Sequence, residues 1–262
     1  MQIFKFLLNA VSGFTAGKPG KRGSVQIILE GKQMELLRVC NLKKSYDIEN
    51  SRTMKKEKTE VLKEISLSIA EEEALCIMGR SGCGKTTLLK ILGGLLVPTA
   101  GSVFYKGERM SGYGRKRMEA YRRAQVGFVF QDYKLLEHLT IMDNMILPLM
   151  LDHREVKESV SKVEGMARML QIADKLDYYP NELSGGEKQR AAIGRALMND
   201  PPLILADEPT GNLDEASGRM VMELLIRLQK DLHKTLVLVT HDKEIADFCS
   251  RMVMMKDGRL AG

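Results

Sequence analysis

The run Gly79-Arg80-Ser81-Gly82-Cys83-Gly84-Lys85-Thr86 constrains the fold more than any other stretch of the chain. It matches G-x-x-x-x-G-K-[ST] in full, between an apolar strand-like run, Ala74–Met78, and a helical pattern over Thr86–Leu96 that Gly93, Gly94 and Pro98 close. Strand, glycine loop, helix is the order that phosphate binding needs. Gly82 and Gly84 let the backbone approach closely, so that successive N–H groups and the positive end of the helix can cradle phosphate oxygens. Lys85 then reaches the β- and γ-phosphates of a nucleotide, and Thr86 offers its hydroxyl to Mg²⁺. Gly79 to Thr87 together are the candidate phosphate contacts. The loop alone leaves kinase, GTPase and motor open.

Composition narrows the class. With 262 residues, 44% hydrophobic and 28% charged, the chain is neither collagenous, disulfide-framed nor disordered. A formal charge of +6 allows a basic face for nucleic acid or an anionic membrane surface, and equally a plain lysine excess. Cys40, Cys76, Cys83 and Cys249 show no CxxC spacing, which argues against a zinc site or disulfide framework and for a reducing cytoplasm. The longest apolar runs, such as Met145–Leu151, fall well short of the roughly 18 residues that a membrane span needs. Residues 1–33, apolar to Val11 and Gly/Lys-rich from Gly13 to Gly23, read as a leader, disordered or not native, and 34–262 as one domain.

Along that domain the strand signals are Leu36–Leu42, Ile65–Ile69 and Ala74–Met78, with the charged stretch Asp47–Glu60 as an exposed hairpin tip. Arg154–Leu176 has helical period, with Val156, Val160, Val163, Met166, Met169, Leu170 and Ala173 on one side, and belongs to a helical insert over about 132–182. Leu203–Ala206 and Leu236–Thr240 flank a helix over Ala216–Leu232, an alternation that argues for a mainly parallel sheet. The expected class is α/β.

Leu203-Ile204-Leu205-Ala206-Asp207-Glu208 ends in two carboxylates at the carboxyl edge of the sheet, where ligands of open α/β folds sit. Asp207 is placed to hold Mg²⁺, and Glu208 to act as general base on the attacking water. Leu183-Ser184-Gly185-Gly186-Glu187 precedes a helix over Lys188–Met198 and contains an S-x-x-E capping box. Capping does not require the two glycines, which leave room for a phosphate beside Ser184.

LSGGEKQR, with the elements before and after it, resembles the signature motif of ABC (ATP-binding cassette) ATPases in order and spacing, from about Leu36 to Gly258. The resemblance implies a P-loop core with an N-terminal antiparallel β subdomain and a helical insert. It implies ATP and Mg²⁺ as ligands. Under it Tyr46 is the aromatic that stacks on adenine, Gln131 senses Mg²⁺ and the γ-phosphate, Asp214 lies in a loop that meets the opposite subunit, and His241 contacts the γ-phosphate. Arg80, Cys83 and Glu187 depart from commoner family text without removing a catalytic group, and Cys83 becomes a site where alkylation inactivates.

The family mechanism pairs two cassettes head to tail, so that Ser184, Gly185, Gly186 and Glu187 serve the nucleotide of the partner copy. ATP-driven closure pulls on a separately encoded permease, which would sit in a groove around Gln131 to Leu151 where Met142, Met145 and Met150 either accept a short helix or belong to the core. The expected location is the inner face of the cell membrane, peripheral, through the permease. The text around Pro209–Asp214 resembles the branch with lipoprotein-release, macrolide-export and antimicrobial-peptide-resistance systems. Alternatives are a cassette that moves a membrane partner without transport, as in cell division, and a nucleic-acid-linked ATPase. The latter lacks its zinc cysteines and long heptads here, so no nucleic acid is expected.

Overall fold

The computed structural model describes residues 34–49, 56–152 and 154–261, so the leader expected over 1–33 lies outside them. Long strands β1 (Glu35–Glu49) and β2 (Lys56–Ala70) pair antiparallel. Their register sets Leu37 opposite Ile69 and Asp47 opposite Lys58. The stretch Asp47–Glu60, expected as a hairpin tip, is therefore mostly strand on both arms, because cross-strand pairs such as Asp47 and Lys58 let charged residues continue the ladder. β4 (Ala100–Tyr105) and β5 (Glu108–Arg109) complete a sheet of order β2-β1-β4-β5.

β3 (Ala74–Met78), β6 (Val126–Val129), β7 (Leu203–Asp207), β8 (Thr235–Thr240), β9 (Arg251–Lys256) and β10 (Arg259–Ala261) form the second sheet, in the order β10-β9-β3-β8-β7-β6. All its pairings are parallel except β9 with β10. Side chains alternate across it. Cys76, Ile204, Ala206, Leu236 and Leu238 enter one core with the helices, while Leu75, Ile77, Leu203, Leu205, Val237 and Val239 enter another with β1, β2 and the helix after the glycine loop. Burial on both faces explains why these strands read as unbroken apolar runs.

The helices are α1 (Lys85–Leu92), α2 (Arg115–Ala124), α3 (Ile141–Leu151), α4 (Val156–Met169), α5 (Gly185–Leu197), α6 (Glu215–Asp231) and the short α7 (Lys243–Ala246). α1 stops four residues before the expected Leu96. Gly94 turns to φ 68, and the N–H groups of Leu95 and Leu96 fold back onto the Lys90 carbonyl. α4 ends at Met169, before the expected Leu176; Gln171 then turns to φ 57, and a 3₁₀ turn over Ala173–Lys175 follows. Val163, Ala167 and Leu170 face the core, whereas Met169 is 45% exposed, off the expected stripe. β4, β6, β9, α2 and α3 carry only weak local signals. α3 is apolar on most sides and contains Pro148, which blurs its period.

Candidate functional site

Every candidate catalytic group leaves the second sheet at its carboxyl edge. β3 runs into the glycine loop, β6 into Gln131, β7 into Asp207 and Glu208, and β8 into His241. In the loop, Gly84 is the N-cap of α1 at φ 108, a conformation that a side chain would strain, and an added Cβ would stand 2.9 Å from Leu62 Cδ2. Gly79, on the strand side, leaves no room either, since a Cβ there would lie 2.2 Å from the Met255 carbonyl oxygen. Thr87 follows in the first turn of α1, half-buried. Two cavities flank the loop. One, of about 480 Å³, is lined by Gly79, Arg80, Ser81, Glu208, His241 and Met254. The other, of about 680 Å³, lies between the loop, Thr59–Lys63 of β2 and the β9–β10 hairpin.

Lys85 is buried, and its ammonium donates to the carbonyls of Gly79 at 2.7 Å and Arg80 at 3.1 Å. Glu208 Oε1 lies 3.6 Å from the same nitrogen, and Glu208 Oε2 lies 3.1 Å from His241 Nδ1. Glu208 has φ 43, an uncommon value for a residue with a side chain, while its N–H bonds to the Val239 carbonyl. Thr86 donates its hydroxyl to Asp207 Oδ1 at 2.8 Å. Burial pushes the Asp207 carboxyl above the usual aspartate range, against the lowering effect of the Thr86 bond. Lys85, Thr86, Asp207, Glu208 and His241 thus converge from three strands.

The other expected residues are placed differently. The Gln131 amide nitrogen donates to Asn212 Oδ1 at 3.3 Å, and Asn212 returns a bond to the Gln131 carbonyl at 3.0 Å, so this glutamine is tied to the turn before α6. Asp214 caps α6 by accepting from the Ser217 N–H, and Ser217 lowers its pKa. Tyr46 lies on the open part of β1 with Lys44 Nζ 5.0 Å from its ring centre; its cross-strand neighbour Thr59, not Tyr46, lines the larger cavity. Half-buried Cys83 lines that cavity too.

Ser184 and Glu187 form the capping box of α5. The Ser184 N–H and hydroxyl both donate to Glu187 Oε2, at 2.9 and 2.7 Å, and these bonds, the hydroxyl's first, hold the Glu187 carboxyl below its usual range. No residue of Ser184–Glu187 lines the cavities at the glycine loop. The two glycines are not equivalent. A Cβ on Gly185 would meet Leu213 Cδ2 at 2.9 Å and the Tyr133 hydroxyl at 3.0 Å, whereas one on Gly186 would find nothing closer than 3.7 Å. Gly186 is buried with space for a methyl group beside Ser217, and Gly185 serves packing against the loop after Gln131. Tyr133 and Asn212 are the residues that sequence reasoning leaves without a role here; both act through contacts distant in sequence.

Beyond Gln131 lies a groove of about 660 Å³, walled by α2, β6, α3 and the end of α5. Phe128 and Phe130 stack along it, ring centres 4.5 Å apart. Of the two readings of the methionines, groove or core, the core holds for Met142 and Met145. Met145 is fully buried and reaches the space beside Gly194, Met142 packs half-buried on the core, and Met150 alone is exposed. Neighbouring Leu147, Pro148 and Leu151 supply the apolar wall instead. Asn144, also buried, donates to the carbonyls of Leu136, Leu139 and Thr140 and accepts from the Leu136 N–H, which ties the loop after Gln131 to α3.

Residues 62–211 match the family model described as ABC transporter. A lipoprotein-releasing system ATP-binding protein, LolD, of Cytophaga hutchinsonii is 42% identical over 199 residues, 76% of this chain and 91% of its own. A bacitracin export ATP-binding protein, BceA, of Halalkalibacterium halodurans is 40% identical over 227 residues, 87% of each chain. Among solved structures, a dimeric post-hydrolysis state of the ATP-binding cassette MJ0796 bound to ADP and Pi is similar with a TM-score of 0.78 at 37% identity, covering 87% of this chain and 97% of that one.

Proposed function

Because this chain belongs to the ABC transporter family of ATP-binding, ATP-hydrolysing subunits, we propose that it turns over ATP at Gly79–Thr87 and drives a membrane permease through ATP-held pairing of two copies. The observation that carries the reading is the meeting of Lys85, Thr86, Asp207, Glu208 and His241 at one sheet edge. Lys85 holds the β- and γ-phosphates. Glu208 takes the proton of the attacking water, and His241, in contact with it, orients that carboxylate toward the γ-phosphate. Tyr46 stacks on adenine.

The Thr86 hydroxyl and the Asp207 carboxylate fit Mg²⁺, since both are hard oxygen donors that meet beside the phosphate loop. Among the described residues no group of three or more His, Cys, Asp or Glu side chains could hold a metal ion, so phosphate oxygens and water supply the remaining ligands in this reading. Bound there, Mg²⁺ offsets charge on the phosphates. Gln131 senses the same region through the turn it shares with Asn212.

The placement of Ser184–Glu187 away from the chain's own phosphate loop supports the head-to-tail pair, in which this segment and Asp214 meet the nucleotide of the partner copy, and the dimeric cassette bound to ADP and Pi is similar in fold. Among the described residues no helix is long and apolar enough to cross a membrane, and attachment is peripheral, on the inner face, through the permease seated in the groove beyond Gln131. The likeness to LolD and BceA supports an export or force-transmitting partner.

The test is ATP turnover and mass of the purified chain, followed by recovery from native membranes. Mg²⁺-dependent phosphate release, a doubling of mass in ATP and co-purification with a polytopic membrane protein are expected. Turnover with no membrane partner would remove the transport reading and keep the ATPase.

A further inference from the structure

Gln131 leaves the sheet at the same edge as the catalytic groups without facing them. It lines neither cavity at the glycine loop, and its side chain lies instead along the turn before α6. A Cβ on Gly211 would come within 2.8 Å of Gln131 Nε2, 3.1 Å of Cδ and 3.3 Å of Cγ, so the missing side chain at Gly211 makes the berth. Asn212 closes it with two bonds. Its Oδ1 accepts from Gln131 Nε2 at 3.3 Å, and its amide nitrogen donates to the Gln131 carbonyl at 3.0 Å. The chain that follows is strained: Tyr133 and Lys134 are left-handed at φ 59 and 50, and the Arg195 guanidinium holds them by donating to both carbonyls. The same turn touches α5, since a Cβ on Gly185 would meet Leu213 Cδ2 at 2.9 Å, the Tyr133 hydroxyl at 3.0 Å and the Asn212 carbonyl oxygen at 3.7 Å.

We infer that Asn212 is a positioning residue for ATP turnover: it parks the Gln131 amide in the Gly211 berth, and Gln131 turns to Mg²⁺ and the γ-phosphate only by giving up both Asn212 bonds. The inference rests on the reading above in which Gln131 senses Mg²⁺, and it adds what competes with the metal for that side chain. Strained residues persist only while their surroundings hold them, so the segment after Gln131 is ready to move once the Asn212 bonds are gone. Release also frees the turn Gly211–Asp214. That turn carries Asp214 and abuts Gly185, so metal occupancy of the chain's own site reaches both segments that meet the partner copy in the head-to-tail pair.

The test is binding of a fluorescent ATP analogue to the full chain, in EDTA and across a Mg²⁺ titration, at protein concentrations where the mass stays that of one copy. Asn212→Ala should bind the analogue in EDTA as the parent does, yet reach its half-maximal response to metal at about three- to tenfold less Mg²⁺, the effect of one hydrogen bond. Gly211→Ala, whose methyl group takes the berth, should shift the Mg²⁺ requirement in the same direction. Gln131→Ala should raise the requirement, and Asn212→Ala added to Gln131→Ala should change nothing further. Without nucleotide or metal, amide hydrogen exchange over residues 131–134 should speed up in Asn212→Ala. An unchanged or raised Mg²⁺ requirement in both Asn212→Ala and Gly211→Ala, or unchanged exchange over 131–134, overturns the latch and leaves Gln131 its role if Gln131→Ala still raises the requirement. A Gln131→Ala chain with the parent's Mg²⁺ requirement removes that role and the latch with it.

Discussion

His241 Nδ1 lies 3.1 Å from Glu208 Oε2, although the two residues stand at the ends of different strands, β8 and β7. The contact aims a carboxylate that is only 18% exposed, and that sits beside the Lys85 ammonium, toward the smaller cavity of the phosphate loop. Glu208→Gln keeps the shape and removes the proposed base. Phosphate release should fall about a hundred- to ten-thousand-fold, and light scattering in ATP and Mg²⁺ should show the variant accumulating as a dimer. Normal turnover would remove Glu208 from that role.

Asp207 carries the opposite lesson for stability. Burial raises its pKa, so between the ordinary aspartate range and the raised value the folded chain keeps a proton that the unfolded chain has given up. Stability of the ligand-free protein therefore falls as pH rises through that window. Asp207→Asn should abolish this part of the pH dependence and raise the melting temperature at neutral pH, while ATP turnover is lost. Thermal melts across the acidic range check the sign; an equal pH slope in both proteins would contradict it.

Gly79 and Gly186 differ in the space that a side chain would find. Gly79→Ala drives a Cβ to 2.2 Å from a backbone oxygen and should cost about 1–3 kcal/mol of stability. Gly186→Ala meets nothing closer than 3.7 Å and sits in the first turn of α5, where alanine gains about 0.5–1 kcal/mol over glycine. It should melt no lower than the parent and yet lose the ATP-held dimer. A Gly186→Ala chain that dimerises normally would place the partner's phosphate elsewhere.

Cys83 lies half-buried in the phosphate loop and lines the larger cavity. N-ethylmaleimide should stop ATP turnover, bound ATP should protect, and Cys83→Ala should be turned over but resist the reagent. Equal inactivation of parent and variant would move the sensitive thiol to another cysteine.

Much of the site was legible because its parts are local. The glycine loop, the carboxylates at the end of β7 and the capping box at the start of α5 each declare themselves within eight residues, although α5 begins at Gly185, three residues before the expected Lys188, because Ser184 is its N-cap. The helix ends were less legible. Leu96 and Leu176 continue an apolar rhythm past the points where Gly94 and Gln171 turn left-handed, because backbone conformation, and not periodicity, closes a helix. Met145 stayed open between groove and core, since an apolar residue on α3 fits either equally well; the space beside Gly194, on α5, settled it.

By itself the sequence determined the strands β3, β7 and β8, the glycine loop after β3 and the capping box at Ser184, since hydrogen bonds to neighbours three or four residues away and the conformational reach of glycine are local properties. Tertiary structure alone decided the strand order β9-β3-β8-β7-β6, the 2.8 Å bond from Thr86 to Asp207 across 121 positions and the tie of Gln131 to Asn212. Each of these depends on which faces bury against each other, and that choice is made by packing over the whole sheet, where no single stretch of chain holds both partners.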